Sequence, residues 1–422
     1  RSYAYYYVDL LIGTPSQRVS VIVDTGSSLC AFPCSGCVHC GVHLDPLFDA
    51  SQSESLEWLP CGTGCSSCRD GHCGYYQGYT EGSSFSGFWF RDVLRLGERR
   101  GNPPVPAQLG CHNSENKLFY TQKANGILGL GPGHGSPTVL QQLFQDVEHV
   151  NSNVFSLCLA DFGGQLLVGG FNQSWFLGDG VRWIPMSTSL GNYAVPLSRL
   201  SIAGESFIAG AAEFGATIVD SGSTFTYLPS RVFHLLSEAI AERCSSQKLC
   251  GRATPLHGAC WLIPDGASSL EFFPVLEMNF GALGLGTTIR WRASAYLTEL
   301  EQMAGGSKWC TAFRDNGPSR QTILGISWLL HKEVIFDLQE GLLGVAEARC
   351  PESRQRPEGP MLSEQLAAKE AELANWAQWM LDLRYGVIVT LCGFSASLIF
   401  VAAGQRLCPR RLRRYQHVIE LG

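Results

Sequence analysis

Charge is scarce in this 422-residue chain: Asp, Glu, Lys and Arg together make up 16% of it, and the formal net charge is −6. Without a surplus of positive charge there is no field to gather nucleic acid, so that class of partner is excluded, one short C-terminal cluster apart. A phosphate cradle is missing too. The glycine runs "LLVGG" and "LGLG" lack the strand, the helix and the Lys or acidic partner that would make them nucleotide signals. There is no initiator methionine and no apolar leader. The chain starts at Arg1 and passes at once into strand-like "YAYYYVDLLIG", so a signal sequence, a propeptide or both are expected to precede it. What is plentiful is glycine, proline and cysteine. With 47 Gly and 20 Pro the chain suits short strands joined by tight turns better than a bundle of long helices. Seventeen Cys are too many for a reducing compartment unless most bind metal, which points to the secretory route or beyond.

The pattern along the chain separates several regions. Residues 1–350 carry alternating runs such as "VSVIV", "FSLCLA" and "EVIFDL". Residues 351–361 form a polar, Pro-rich linker. Residues 362–384 read as a juxtamembrane helix, with Leu366, Leu373, Trp376 and Met380 at helical spacing. Gly386 to Gly404 has no charged side chain over 19 positions, about the length that crosses a bilayer, and a transmembrane helix is expected at 385–405. A buried core helix is the other reading of that run. Arg406 and "RRLRR" at 410–414 make the tail 406–422 basic, so the charge bias places the tail in the cytoplasm and the large region in the lumen.

The large region is internally duplicated. "VIVDTGSSLCAFP" at 21–33 returns as "TIVDSGSTFTYLP" at 217–229, and "ILGL" at 127–130 returns as "ILGI" at 323–326. Both pairs share one offset, 196 residues. The expectation is an all-β protein of two similar lobes, 1–185 and 186–350, packed about a pseudo-twofold axis.

Each repeat delivers an aspartate, Asp24 or Asp220, from an apolar strand into a small-residue turn. Gly26 and Gly222 leave room for close backbone approach, and Ser27 and Ser223 can hydrogen-bond the outer carboxylate oxygens. Two carboxylates facing each other cannot both ionise cheaply, so they share one proton and hold an acid and a base side by side. Attack of water on an amide needs both.

These segments resemble the four signature segments of the pepsin-like aspartic proteases, over residues 1 to about 350. The resemblance implies their bilobal fold and peptide hydrolysis with no metal or cofactor. It also implies a β-hairpin flap with a tyrosine followed by glycines three and seven positions on. In "YYQGYTEG" these are Tyr75, Gly78 and Gly82, with Tyr76 as the alternative tyrosine. Many members place a Trp two positions before the Pro of the first motif; Ala31 stands there before Pro33, so the flap must be steadied otherwise.

Between Asp24 and the flap lie Cys30, Cys34, Cys37, Cys40, Cys61, Cys65, Cys68 and Cys73, a Cys-rich insertion over 30–73. The C-x2-C-x2-C spacing with His39 and His43 could invite zinc, but disulfides staple a long insertion without a metal supply and are favoured. Cys111, Cys158, Cys244, Cys250, Cys260, Cys310 and Cys350 complete the disulfide candidates. They make fifteen before residue 386, so at least one is free, or pairs with a preceding segment, and is a candidate for thiol reagents. The insertion resembles the nepenthesin type and, as "CxxCxxCGxHxDPxF", the membrane-anchored plasmepsin V-like branch of the family. That branch implies a single-pass type I protein of the Golgi or endoplasmic reticulum that cuts secretory effector proteins after Arg in Arg-x-Leu-type motifs. On that reading Glu81, beside the flap, binds the Arg, with Glu115 as a second acidic candidate. Asn172 in "NQS" is the glycosylation candidate. A non-catalytic binding or inhibitor protein on the same scaffold is the alternative.

Overall fold

The 196-residue repeat reappears in how the backbone pairs. Strand Gln17–Asp24 runs parallel to Gly126–Gly129, with Val21 opposite Gly126 and Asp24 opposite Gly129. Strand Thr217–Val219 runs parallel to Thr322–Leu324, with Thr217 opposite Thr322. A third strand then lies antiparallel to the same partner in each half, Ala31 opposite Ile127 and Tyr227 opposite Ile323. Val21, Gly126, Ala31 and Ile127 are thus matched by Thr217, Thr322, Tyr227 and Ile323, each 196 residues later. The residue types explain the geometry: Val21, Ile22 and Val23, like Thr217, Ile218 and Val219, are buried on both faces, as apolar runs feeding parallel pairs must be.

The computed structural model describes residues 5–352 except 63–64, 80, 98–103, 134–136, 148–149, 179, 203, 246–248 and 283–285. The juxtamembrane and spanning helices expected at 362–384 and 385–405, the tail 406–422 and all of the linker after residue 352 lie outside the described residues. Among those described, no helix is long and apolar enough to cross a membrane.

The described residues are mostly β, 45% strand and 16% helix. The first half builds one nine-stranded sheet, and the second half divides its strands among a five-stranded and two four-stranded sheets. A further antiparallel sheet draws on both halves, in the order Gly164–Val168, Val154–Leu159, Lys332–Asp337, Leu342–Glu347, Arg182–Pro185. Within it Phe155 stacks on Phe336 with centroids 4.4 Å apart, and Cys158 is bonded to Cys350. Among the described residues the one long helix, Ser230–Ser245, buries Val232, Leu236, Ile240 and Cys244, one side chain per turn. Leu236 packs inward, whereas Phe233 is only half-buried, edge-on to Phe313.

Four disulfides hold the insertion: Cys34–Cys111, Cys37–Cys40, Cys61–Cys68 and Cys65–Cys73. Cys158–Cys350, Cys244–Cys250 and Cys260–Cys310 pair the rest. Among the described residues Cys30, one of the disulfide candidates, is the one left unpaired. It is also no target for thiol reagents: it is buried, and burial pushes its thiol well above the ordinary range, so no thiolate is presented. The Cys30→Ala chain should therefore show one thiol fewer than wild type when denatured without reductant, and the same reactivity as wild type when native. A native-state difference between the two in a thiol-titration assay would contradict this packing.

Candidate active site

The turns that follow the two strands interlock. Thr25 N–H donates to Ser221 Oγ at 3.0 Å, and Ser221 N–H donates to Thr25 Oγ1 at 2.9 Å. Each hydroxyl then donates onward to a carbonyl of the opposite half, Thr25 to Val219 at 3.0 Å and Ser221 to Val23 at 2.8 Å. Thr25 and Ser221 are both buried, so every one of these groups would be unsatisfied without its partner. The residues before them, Asp24 and Asp220, are thereby held face to face.

The carboxyl groups of Asp24 and Asp220 meet across the two turns, each close enough that the other's charge raises the cost of ionising it. On its own side each is held alike. Asp24 accepts from Gly26 N–H at 2.8 Å and from Ser27 Oγ, and Asp220 accepts from Gly222 N–H at 2.9 Å and Ser223 Oγ at 2.7 Å. The glycines have a second reason. A Cβ on Gly26 would stand 2.5 Å from Asp220 Oδ1, and one on Gly222 would stand 2.4 Å from Asp24 Oδ1. Each missing side chain is the space taken by the other half's carboxylate. Burial, and next the charge of Asp220, push Asp24 up to about 8, against its hydrogen bonds from Ser27 and Gly26. The proton belongs to the pair, which therefore offers an acid and a base in one place.

Over the pair lies the hairpin of strands His72–Gly78 and Ser84–Leu96. Its tip is closed by Gly82 N–H donating to Tyr79 O at 2.9 Å, with Gly82 in the left-handed region at φ 86°. The flap tyrosine is not Tyr75. Tyr75 pairs with Gly87, three positions back from the Gly78–Ser84 pair that precedes the tip, and its ring points into the sheet. There its hydroxyl lies 2.6 Å from where a Cβ on Gly110 would be, beside Ala31, and its ring leans on Trp89 at 4.7 Å. Tyr75 thus fills the volume that Ala31 leaves where many relatives carry Trp. Its neighbour Tyr76 faces solvent.

The residue at the tip is Tyr79. Its ring packs on Phe119 at 5.1 Å and Phe85 at 5.9 Å. Its hydroxyl, shielded from water and without a hydrogen bond of ordinary length, sits beside Ser27, and burial followed by the Asp24 charge keeps it protonated. Tyr79 has its own glycine three positions on, Gly82, but none at seven, so the two-glycine spacing selected Tyr75; distance from the tip was the better criterion.

The two acidic candidates part company. Glu81 is exposed at the hairpin tip, accepts from Ser83 Oγ, and its charge reaches both Tyr79 and Tyr227 of the second half, so it overlooks the cleft. Glu115 cannot touch a substrate. Its side chain is wholly buried between His112 Nδ1 at 2.7 Å and His43 Nε2 at 3.2 Å. Burial alone would raise it, but those hydrogen bonds more than offset that and hold it below the usual range. Asn172 is half-exposed, and its side-chain oxygen accepts from Ser174 N–H at 3.0 Å. Among the described residues no group of three or more His, Cys, Asp or Glu is placed to hold a metal ion.

Comparison with known proteins agrees with this geometry. The family model for the eukaryotic aspartyl proteases matches residues 5–348. Aspartic protease 5 of Toxoplasma gondii is 33% identical over 85% of the chain, and plasmepsin V of Plasmodium falciparum is 29% identical over 83%. Nepenthesin-2 of Nepenthes gracilis is 24% identical over 82%. The chain spans 38% of the length of the Toxoplasma protein, 71% of plasmepsin V and 78% of nepenthesin-2.

The pair fixes a pH dependence. Turnover needs one proton on it, so kcat/KM should fall about tenfold per pH unit once pH passes the apparent value near 8. Stability has the same root. The native state keeps a proton on Asp24 that the unfolded chain has lost, so stability should decline as pH rises from about 4 to about 8. Asp24→Asn should therefore gain in Tm relative to wild type as pH rises through that window, and thermal denaturation showing a gap independent of pH would contradict the shift.

Proposed function

We propose, from the premise that this chain belongs to the eukaryotic aspartyl protease family and is an aspartic peptidase, that it is an endopeptidase of the secretory pathway acting on polypeptides that carry an Arg-x-Leu-type motif. The single observation that carries the reading is the facing pair Asp24 and Asp220, each held by its own glycine N–H and serine hydroxyl and each lying against the glycine of the other half. The ionised member takes a proton from water as its oxygen bonds to the amide carbon. The protonated member hydrogen-bonds the carbonyl oxygen, which becomes the hydroxyl of a tetrahedral intermediate. When the C–N bond breaks, the nitrogen leaves with the proton that the pair took from water, one hydroxyl of the intermediate gives its proton to the other carboxylate as the C=O bond re-forms, and the pair returns to one shared proton.

Preference for a basic residue follows from Glu81. An arginine on a peptide lying under the flap would meet this carboxylate, and a paired guanidinium loses less on leaving water than an orphan one. The membrane-anchored placement rests on the apolar run 385–405 followed by the basic tail, and the lumenal placement on the many paired cysteines. The half-exposed Asn172 is a glycosylation site in that compartment, and the compartment is the Golgi or endoplasmic reticulum. Retention of both aspartates weighs against a binding protein on this scaffold.

The test is a panel of Arg-x-Leu peptides and their Arg→Ala and Leu→Ala forms, with the cut bond read by mass spectrometry. Asp24→Ala and Asp220→Ala should each lose on the order of 10³-fold or more in kcat/KM. Equal turnover by all three proteins would remove the peptidase reading. Glu81→Gln should lose roughly 10-fold on the Arg peptides and little on the Arg→Ala forms. An unchanged Arg preference in Glu81→Gln would remove the specificity assignment alone.

A further inference from the structure

We propose that Glu115, clasped between His43 and His112, is a positioning residue for the flap: it sets the seat of Tyr79 and ties that seat to the Cys-rich insertion. The inference rests on the peptidase reading and gives the insertion a role in it.

Burying a carboxylate and two imidazoles together costs several kcal/mol unless each polar atom is met, so the arrangement needs a reason beyond stability. Four contacts bind Glu115 to the insertion. His43 Nε2 lies 3.2 Å from Oε2, and Gly41 N–H donates to the same oxygen at 3.4 Å. The main chain of Glu115 adds two more, as its N–H donates to His39 O at 2.7 Å and its carbonyl oxygen lies 2.7 Å from the His39 ring Nδ1. The other carboxylate oxygen, Oε1, faces the flap and meets His112 Nδ1 at 2.7 Å. Burial favours the neutral form of His112, so Nδ1 carries the hydrogen and the ring is oriented by the bond it donates.

His112 in turn lies flat on Phe85, with centroids 4.1 Å apart and planes 21° from parallel. Phe85 pairs with Glu115 across the ladder and stands two residues after Ser83 of the flap tip. Its ring is edge-on to Phe119 at 4.7 Å, and these two rings are the surface on which Tyr79 rests. The chain of contact runs from the insertion through Glu115, His112 and Phe85 to the tyrosine beside Ser27 and the aspartates. No member before Tyr79 touches the cleft, so any effect on catalysis passes through that side chain.

A glutamine at 115 keeps the size but offers one acceptor and one donor, so only one imidazole keeps its present bond. The test is a double-mutant cycle of Glu115→Gln against Tyr79→Phe in the full chain, read as kcat and KM on a peptide that wild type cleaves. Glu115→Gln should lower kcat roughly 10-fold, the scale on which small misplacement of a closing group acts, and should cost less than about twofold once Tyr79→Phe is present. Losses that multiply independently would overturn the proposal, because a purely structural Glu115 would weaken both backgrounds alike. If Glu115→Gln does not fold, His43→Gln supplies the same cycle from the insertion side with the carboxylate and His112 intact. Wild type that cleaves no peptide would instead sink the peptidase reading on which the proposal stands.

Discussion

The reciprocal pairing of Thr25 with Ser221 is the constraint on which the rest depends. Four hydrogen bonds of 2.8–3.0 Å cross between the halves there, all in the buried interior. Each is worth only about 1 kcal/mol net, but losing one strands a buried donor or acceptor at a cost of about 1–3 kcal/mol. The arrangement is therefore hard to loosen by degrees. It also sets how closely the next residues meet, and two carboxyls held that close must share a proton. Catalytic capacity is thus a consequence of how two similar halves are locked together.

Around this pair the protein separates two uses of a carboxylate by burial. Asp24 is buried beside a like charge and is pushed up to about 8, so it keeps a proton in a range where an ordinary carboxyl would not. Glu115 is as deeply buried, yet faces two imidazoles and is held down, so it remains a charged bridge. Glu81 is exposed and leans over the cleft, where a charged ligand can reach it. The residue type is almost constant across the three; the neighbours decide the chemistry.

Much of this was legible in the residues, and the misses have physical causes. The aspartates, their glycines and their serines were legible because duplication repeats both motif and spacing, and the backbone register follows the same offset. The odd cysteine was foreseeable by parity, but not which one, since pairing depends on where distant strands meet, as in Cys34–Cys111. Tyr75 was chosen for its two glycines, whereas the flap tyrosine is decided by register: three ladder pairs separate Tyr75 from the tip that carries Tyr79. Glu115 is a binding candidate only through the family resemblance, which places a second acidic side chain near the flap; nothing in "GCHNSENKLF" shows that His43, seventy-two residues away, comes to meet it.

The central claim is that one proton is shared between the carboxyls of residues 24 and 220 at neutral pH. Infrared spectroscopy of the protein with isotope-labelled aspartate tests it most directly, since a protonated carboxyl and a carboxylate absorb separately. At pH 6 to 7 the wild type should show one protonated aspartate, and that band should be lost in both Asp24→Asn and Asp220→Asn. A wild-type spectrum at that pH with every aspartate ionised would contradict the account.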